Sequence, residues 1–199
     1  MLTSYDVSSL VIDRLCDQAG RQDATVACFY FDFAARKEQS PTSMLSSLLK
    51  QLVYGLEEIP MEISLAYQGQ KSAIGGRELQ LADIVKMMQS TASQKPTFIC
   101  IDALDECVVR DRVKVLDSLN QVLQGSPSTR VFVTGRPDIE AEVRKRLSGR
   151  VKTLRITPRR DDIISYLHSR LDEDTMPDAM DSSLKADILR KIPDDVSER

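Results

Sequence analysis

The sequence predicts an α/β protein in which a parallel β-sheet is flanked by helices. Short apolar runs, typical of buried strands, alternate with longer segments whose apolar residues recur at helical spacing. Strands that alternate with helices are joined by right-handed crossovers and therefore form a parallel sheet. The clearest run, residues 97–102, ends abruptly in Asp102. The carboxyl ends of parallel strands are where open α/β sheets bind ligands.

Four segments have the composition of strands. Residues 24–33 are apolar on both faces and rich in aromatic side chains, which favours an interior strand. Residues 151–156 alternate Lys152 and Arg155 with apolar residues, which favours a strand near the sheet edge. The four predicted strands are 24–33, 97–102, 129–134 and 151–156.

Helices are predicted where apolar residues recur every three or four positions. Gly20 can end the first helix. Ser40 and Pro41 can begin the second, because a serine hydroxyl caps free amide groups and proline suits the first helical turn. In chain order the predicted helices are 7–19, one that begins at 41, a weaker one at 61–74, then 78–90, 110–123, 138–147, 161–172 and 181–192.

The composition fits one large domain, or one domain with a fragment of another. The formal net charge of the 199 residues is −3, and the basic residues are scattered. We therefore expect no binding to nucleic acid and no attraction to anionic membranes. No apolar run approaches the roughly 20 residues that a membrane span needs. The first residues also lack the basic and apolar regions of a secretory signal.

The cysteines are Cys16, Cys28, Cys100 and Cys107, and no two form a C-x-x-C pair. This spacing favours buried free thiols over a metal or disulfide role. Free thiols are typical of a reducing compartment, so we expect a cytoplasmic location. The single histidine, His168, lies on a predicted helix and is expected to be a surface or half-buried residue rather than a ligand.

An acidic motif follows the strand that ends in Asp102, with Asp105 and Glu106 three and four residues later. In P-loop nucleotide hydrolases an aspartate at such a strand end helps to hold Mg²⁺, and a further residue orients the attacking water. The partner motif G-x-x-x-x-G-K-[ST] does not occur in the 199 residues. The acids alone leave three interpretations open: a nucleotide site, acids that merely begin a helix, or an unrelated metal hydrolase.

The order and spacing of five segments between about residues 7 and 172 resemble the middle of a NACHT domain. The resemblance is to the nephrocystin-like type found in large fungal signalling proteins, which are signal-transduction ATPases with numerous domains. The matching segments are LVIDRL (10–15), ACFYFDF (27–33), LLKQL (48–52), IDALDEC (101–107) and VTGRP (133–137).

The resemblance implies roles for the residues that match its motifs. Asp102 would be the Walker B aspartate that holds Mg²⁺. Asp105 and Glu106 would be the catalytic acidic pair, with Glu106 as the residue that orients water. Arg136 would be the sensor arginine that contacts the γ-phosphate, with Thr134 beside it at the same strand end. The implied cofactors are ATP or ADP and Mg²⁺.

The resemblance also implies a three-layer, P-loop NTPase-like sheet over residues 1–175, followed at 176–199 by the lead-in helix of a winged-helix region. The family's phosphate-binding loop and the strand that feeds it are missing from the sequence. Two explanations are open: a truncated reading of a longer gene product, which is the expected one, or a degenerate paralogue. Without the loop amides and lysine, the chain is expected neither to bind ATP tightly nor to hydrolyse it.

The implied function is a nucleotide-dependent signalling switch, with non-self recognition and cell death as its family context. Its partners would be neighbouring domains of a larger protein and, in the active state, further copies of itself. The alternative function is a non-catalytic, NACHT-like interaction module. The absence of the phosphate-binding loop favours the alternative for this chain, whereas the switch remains the function implied for the family.

Overall fold

The sheet of the protein is parallel, as the sequence predicts. The computed structural model describes residues 4–72, 79–147, 151–156, 159–172 and 181–197. The strands lie in the order β1-β2-β3, so the strand that ends in Asp102 is central among those described. Cys28 of the first strand lies opposite Cys100 of the second, and Tyr30 lies opposite Asp102. The strands are β1 (Thr25–Tyr30), β2 (Thr97–Asp102) and β3 (Thr129–Val133).

Each predicted helix forms, with ends that differ by a few residues from the expected ones. Residues 73 and 74, the predicted end of the third helix, lie outside the described residues. Pro193 lies inside the last helix, which extends beyond the predicted end at 192. Short 3₁₀ helices follow β2 and β3, at Leu104–Glu106 and Pro137–Ile139. The α-helices are α1 (Ser4–Gln22), α2 (Pro41–Tyr54), α3 (Met61–Ser72), α4 (Leu81–Ala92), α5 (Val109–Gly125), α6 (Glu140–Arg146), α7 (Arg160–Asp172) and α8 (Ser182–Ser197).

The two faces of the sheet differ in how completely they are buried. Ala27, Ile99 and Ile101 point to one face and are fully buried in a core shared with α2, α4 and α5. Side chains alternate across a strand, so their neighbours point to the other face, against which α1 packs. On that second face Cys100 is buried, but the larger side chains of Phe98 and Phe132 are only half-buried. The hydrophobic core therefore lies on the face covered by α2, α4 and α5.

The outer edge of β1 is covered by two glutamine side chains. The Gln51 amide accepts a hydrogen bond from the Cys28 N–H at 2.9 Å and donates one to the Cys28 carbonyl at 2.8 Å. The Gln39 amide accepts from the Asp32 N–H at 3.0 Å and donates to the Tyr30 carbonyl at 3.4 Å. Unpaired edge strands invite pairing with other chains. These amides occupy the positions that a further strand would use.

The predicted strand at 151–156 is wrong. These residues form no strand in the part of the chain that the structure describes, and the side chains of Leu154 and Ile156 are 79% and 58% exposed. Alternating polar and apolar residues form a strand only where a neighbouring strand supplies hydrogen-bond partners. The described sheet ends at β3, so the alternation in this segment has no partner strand.

The four cysteines are free thiols, as predicted. Cys100 and Cys107 are buried and Cys28 is half-buried, but Cys16 is exposed, so the expectation of burial is wrong for Cys16. Cys16 is exposed although it lies one helical turn after the buried Ile12 and about one turn before the buried Ala19.

The chain divides into two compact units. Ser4–Val151 contains the sheet and its helices, and Lys152–Arg199 contains α7 and α8. Lys185 forms an ion pair with Asp172 at 3.2 Å between these two helices. The predicted domain boundary at residue 175 stays a prediction. Across the described residues, no helix combines the length and the apolar character required to traverse a bilayer.

Candidate functional site

The carboxyl ends of β2 and β3 are joined by a continuous set of hydrogen bonds. The Thr134 N–H donates to the Ile101 carbonyl at 2.9 Å, and the Thr134 carbonyl accepts from the Leu104 N–H at 3.0 Å. The Thr134 hydroxyl oxygen accepts from the Ala103 N–H at 3.0 Å. Ala103 adopts a left-handed conformation with φ 52°, which turns the chain sharply after Asp102. We call residues 101–105 and 134–136 the strand-end clasp.

Asp102 lies inside the clasp, where its side chain is almost fully buried. The residue is 2% exposed, and its Oδ1 accepts hydrogen bonds from the hydroxyls of Ser8 and Thr134. A buried carboxylate is costly unless polar groups solvate it. Ser8 comes from α1, so this contact links the first helix to the end of the central strand.

A second pair of predicted site residues, Asp105 and Arg136, also makes contact within the clasp. Oδ1 of Asp105 accepts the backbone N–H of Arg136 at 3.2 Å, and Oδ2 lies 3.2 Å from the Nε of the Arg136 guanidinium. Asp105 is mostly buried, whereas the side chain of Arg136 is 78% exposed. The structure therefore brings this acid and this arginine together.

Glu106 contacts a different part of the molecule. Its Oε2 accepts the backbone N–H of Phe33 at 2.7 Å, in the loop that follows β1. The guanidinium of Arg36 lies 4.5 Å from the centre of the Phe33 ring. The described contacts thus direct the three acids to three different partners.

The described residues contain no group of three or more His, Cys, Asp or Glu side chains placed to hold a metal ion. Asp102, Asp105 and Glu106 contact three different partners. This geometry does not support the alternative of an unrelated metal hydrolase that uses the three acids together. A metal at Asp102 would depend on other oxygen ligands. The hydroxyls of Ser8 and Thr134 are oxygen donors of the kind that Mg²⁺ accepts. This donor set fits Mg²⁺ when phosphate oxygens and water complete its shell.

Arg112 supports the 3₁₀ helix that carries the acids. Its Nη1 donates to the carbonyls of Asp105 at 3.3 Å and Cys107 at 3.4 Å, and its Nε donates to Glu142 at 2.8 Å. Arg112 belongs to α5 and is buried. It satisfies carbonyl groups that the short helix leaves without partners.

Burial also controls the ionisation of groups on the α1 face. It raises the pKa of the Cys100 thiol from 9.0 to about 12, and the nearby thiols of Cys28 and Cys16 add to this effect. The Tyr30 pKa is raised as well, first by desolvation and then by the neighbouring Cys28 and Asp102. A thiol with a raised pKa is a poor nucleophile, so Cys100 is a structural residue.

Sequence reasoning missed Ser8, Arg112 and the backbone N–H of Phe33. A serine near the start of a helix and an arginine in the first turns of another are common on exposed surfaces. No local pattern marks them, because Ser8 and Phe33 contact residues 94 and 73 positions away and Arg112 also pairs with Glu142, 30 positions away. One signal was present: Phe33 is the last residue of the predicted interior strand 24–33, and such strand ends are candidate site positions.

Residues 6–136 match the family described as Nephrocystin 3, N-terminal. The matched span covers most of the chain and includes every predicted site residue. The chain belongs to the Nephrocystin 3, N-terminal family. The resemblance to a nephrocystin-like, P-loop NTPase-type domain is thereby confirmed. Among curated proteins, none matches this chain in sequence.

The nephrocystin-like chain is also similar in fold to a solved structure, the Orc1 protein of Aeropyrum pernix in complex with DNA. The TM-score is 0.52 at 17% sequence identity, and the match covers 98% of this chain and 52% of the Orc1 chain. The chain thus spans about half the length of that structure. The likeness confirms the P-loop NTPase-like α/β fold. The bound DNA is a property of the Orc1 protein.

Proposed function

We propose that this nephrocystin-like chain is the core of a NACHT-type signalling switch whose state depends on bound ATP or ADP and Mg²⁺. The observation that carries the proposal is the strand-end clasp, which gathers Asp102, Asp105, Thr134 and Arg136 at the ends of two parallel strands. Open α/β sheets bind their ligands at this edge. Family membership supports the same function.

Each group in the clasp has chemistry suited to a magnesium nucleotide. Asp102, with the hydroxyls of Ser8 and Thr134, offers hard oxygen ligands of the type Mg²⁺ prefers. The planar guanidinium of Arg136 matches the oxygens of a terminal phosphate group. Glu106 is the proposed residue for orienting water, once it leaves the Phe33 N–H. Bound Mg²⁺ would neutralise phosphate charge.

The polypeptide of residues 1–199 is proposed to bind ATP weakly and not to hydrolyse it. The sequence has no G-x-x-x-x-G-K-[ST] segment, whose amides and lysine form the main phosphate cradle. Mg²⁺ usually relies on substrate phosphates as ligands, so the clasp alone would hold it weakly. Isothermal titration of the purified chain with MgATP should give no binding in the micromolar range. A micromolar dissociation constant would contradict this part of the proposal.

The switch itself is tested on the longest protein that the gene's transcript encodes. The transcript is sequenced through the codon for Met1, and its encoded protein is titrated with MgATP and MgADP. We expect in-frame upstream codons for an apolar strand and a phosphate-binding loop, and binding that Asp102→Ala abolishes. Asp138→Ala, which removes an exposed acid near the clasp, is the matched control.

A protein that truly begins at Met1 would favour the alternative, a non-catalytic interaction module. The β3 side of the clasp would then serve only to stabilise the fold. The proposed partners are neighbouring domains and, in the active state of the switch, further copies of the chain.

Mass measurement by light scattering, with ATP and with ADP, distinguishes the switch from the interaction module, because only the switch changes its assembly with the nucleotide.

A further inference from the structure

Asp105 was expected from the sequence to be one of two catalytic acids, but its contacts indicate a different role. Both of its carboxylate oxygens contact one neighbour, the backbone N–H and the guanidinium of Arg136. We infer that Asp105 is a positioning residue that presents Arg136 to a terminal phosphate group, rather than the acid that activates water. This inference rests on the proposed function of the clasp.

The turn after β3 is shaped to bring its backbone against Asp105. A Cβ atom at Gly135 would lie 3.3 Å from Oδ1 of Asp105 and 2.6 Å from Cδ1 of Ile139. The latter distance is shorter than any ordinary carbon contact. A side chain at Gly135 would therefore crowd the Asp105 oxygen that accepts the Arg136 N–H, and the end of the Ile139 side chain would have to move.

The backbone of Asp105 is held by the buried side chain of Arg112. The carbonyl of Asp105 accepts a hydrogen bond from Arg112 at 3.3 Å, and Arg112 is itself paired with Glu142 at 2.8 Å. Asp105 therefore has a fixed backbone, little exposure and a carboxylate committed to Arg136. Groups that orient a functional side chain in this way are themselves held by a second set of contacts.

The geometry of the Asp105–Arg136 pair leaves the arginine suited to bind an anion. Asp105 engages the guanidinium through Nε, and a guanidinium has four further N–H donors on its two terminal nitrogens. The side chain of Arg136 is largely exposed, so a phosphate group can reach these donors. A fixed guanidinium also loses less conformational freedom when it binds.

The first test uses the chain of residues 1–199 and needs no nucleotide. The Nε–H resonance of Arg136, assigned by its loss in Arg136→Lys, is followed by ¹⁵N NMR. We expect a slowly exchanging proton in the wild type and loss of this protection in Asp105→Ala. Asp105→Asn should lose it too, because an amide whose oxygen accepts the backbone N–H turns its NH2 group towards the Nε–H of Arg136. Asp138→Ala should match the wild type. Equal protection in Asp105→Ala and the wild type would overturn the positioning role.

The second test uses the longest protein that the transcript encodes and measures the dissociation constants of ATP and ADP. Loss of a charge-assisted contact predicts that Asp105→Ala weakens ATP binding about tenfold, with ADP binding nearly unchanged. Arg136→Gln should have the same effect, and the double variant should be no weaker than either single variant. Asp105→Asn should weaken ATP binding to a similar degree, because its NH2 group cannot accept the Nε–H of Arg136.

A water-activating acid would behave differently, because neither asparagine nor alanine can replace a carboxylate base. Asp105→Asn and Asp105→Ala would then abolish hydrolysis equally while ATP affinity stayed unchanged, and the inference would be wrong. If the wild-type protein binds neither nucleotide, the proposed function fails and this inference fails with it. An intact Arg136 resonance in the first test would identify that case as a failure of the function, with the contact itself preserved.

Discussion

The two faces of the sheet differ in the side chains that they carry and in the roles of those side chains. On the α2, α4 and α5 face, Ala27, Ile99 and Ile101 are completely buried among apolar side chains. On the α1 face, β2 carries Phe98, Cys100 and Asp102, of which the aromatic ring is half-buried and the carboxylate is hydrogen-bonded. Apolar burial provides most of the stability of a domain. The first face therefore stabilises the fold, and the second positions polar groups.

The difference between the faces shows that one strand can both pack in the core and position polar groups, because its side chains alternate between the two faces. Ile101 and Asp102 are neighbours in sequence, yet one packs in the core and the other enters the strand-end clasp. A shift of register by one residue would exchange the two roles. The parallel pairing of β2 with both neighbours prevents such a shift.

The largest expected effect is on the free energy of unfolding, and it is tested at two adjacent residues of β2. Ile99→Ala should destabilise the protein by about 3 kcal/mol, because it leaves a cavity in the fully buried face. Phe98→Ala removes a larger side chain but should cost only about 1–2 kcal/mol, because the ring is half-buried. Urea unfolding followed by circular dichroism gives both values. Equal costs would show that the α1 face is packed as tightly as the core.

The second prediction concerns the clasp. Thr134→Val keeps the size of the side chain but removes the hydroxyl that bonds Asp102 and the Ala103 N–H. The loss should cost about 2 kcal/mol, because a buried charge and an amide each lose a partner. Thr42→Val, at a half-buried position in the first turn of α2, is the comparison variant and should be within about 0.5 kcal/mol of the wild type. A neutral Thr134→Val would mean that the clasp contributes no stability.

The third prediction concerns the edge of β1. Gln51→Ala removes two hydrogen bonds to the Cys28 backbone and should cost about 1 kcal/mol. It also exposes edge groups that can pair with another chain, so self-association should rise with protein concentration. Sedimentation velocity measures this change. Lys50→Ala, at the exposed neighbouring position of α2, should leave the protein as the wild type.

The smallest expected effect is a gain in stability. Ala103 has a positive φ of 52°, a conformation that glycine adopts without the steric cost of a Cβ atom. Ala103→Gly should stabilise the protein by about 0.5 kcal/mol, since relief of strain exceeds the added flexibility of the unfolded chain. A shift of the thermal midpoint in differential scanning calorimetry checks the sign. A clear loss of stability would show that the methyl group contributes packing that outweighs the strain.

Much of the fold could be predicted from local patterns, because strands and helices leave a periodic record in the sequence. The strand at 97–102 has the predicted ends, and β1 and β3 lie within their predicted segments. The prediction for residues 151–156 failed because alternation indicates only a local preference for extended structure. A strand also needs a neighbouring strand as a hydrogen-bond partner. The exposure of Cys16 was missed because helical spacing places it on the same side of α1 as Ile12 and Ala19, which are buried.

The candidate site was predictable to the level of residues but not of contacts. The acidic motif and the T-G-R-P strand end mark the right region, and the structure joins Asp102 to Thr134 and Asp105 to Arg136. The sequence could not show that Glu106 contacts the Phe33 N–H instead of facing the other acids. Contacts between loops depend on where three separate strands end, and no local pattern contains that information.

By itself the sequence determined the fold class, the family and the residue types at the ends of β2 and β3, because these follow from periodicity and motif order. The tertiary structure alone decided the partners: Ser8 with Asp102, Arg112 beneath Asp105, and Gln51 along the edge of β1. Ser8 and Asp102 are 94 positions apart and Gln51 and Cys28 are 23 apart, whereas Arg112 and Asp105 are only seven apart but belong to different helices. Side-chain hydrogen bonds of this kind depend on packing of the hydrophobic core, which holds the backbones that carry the two partners.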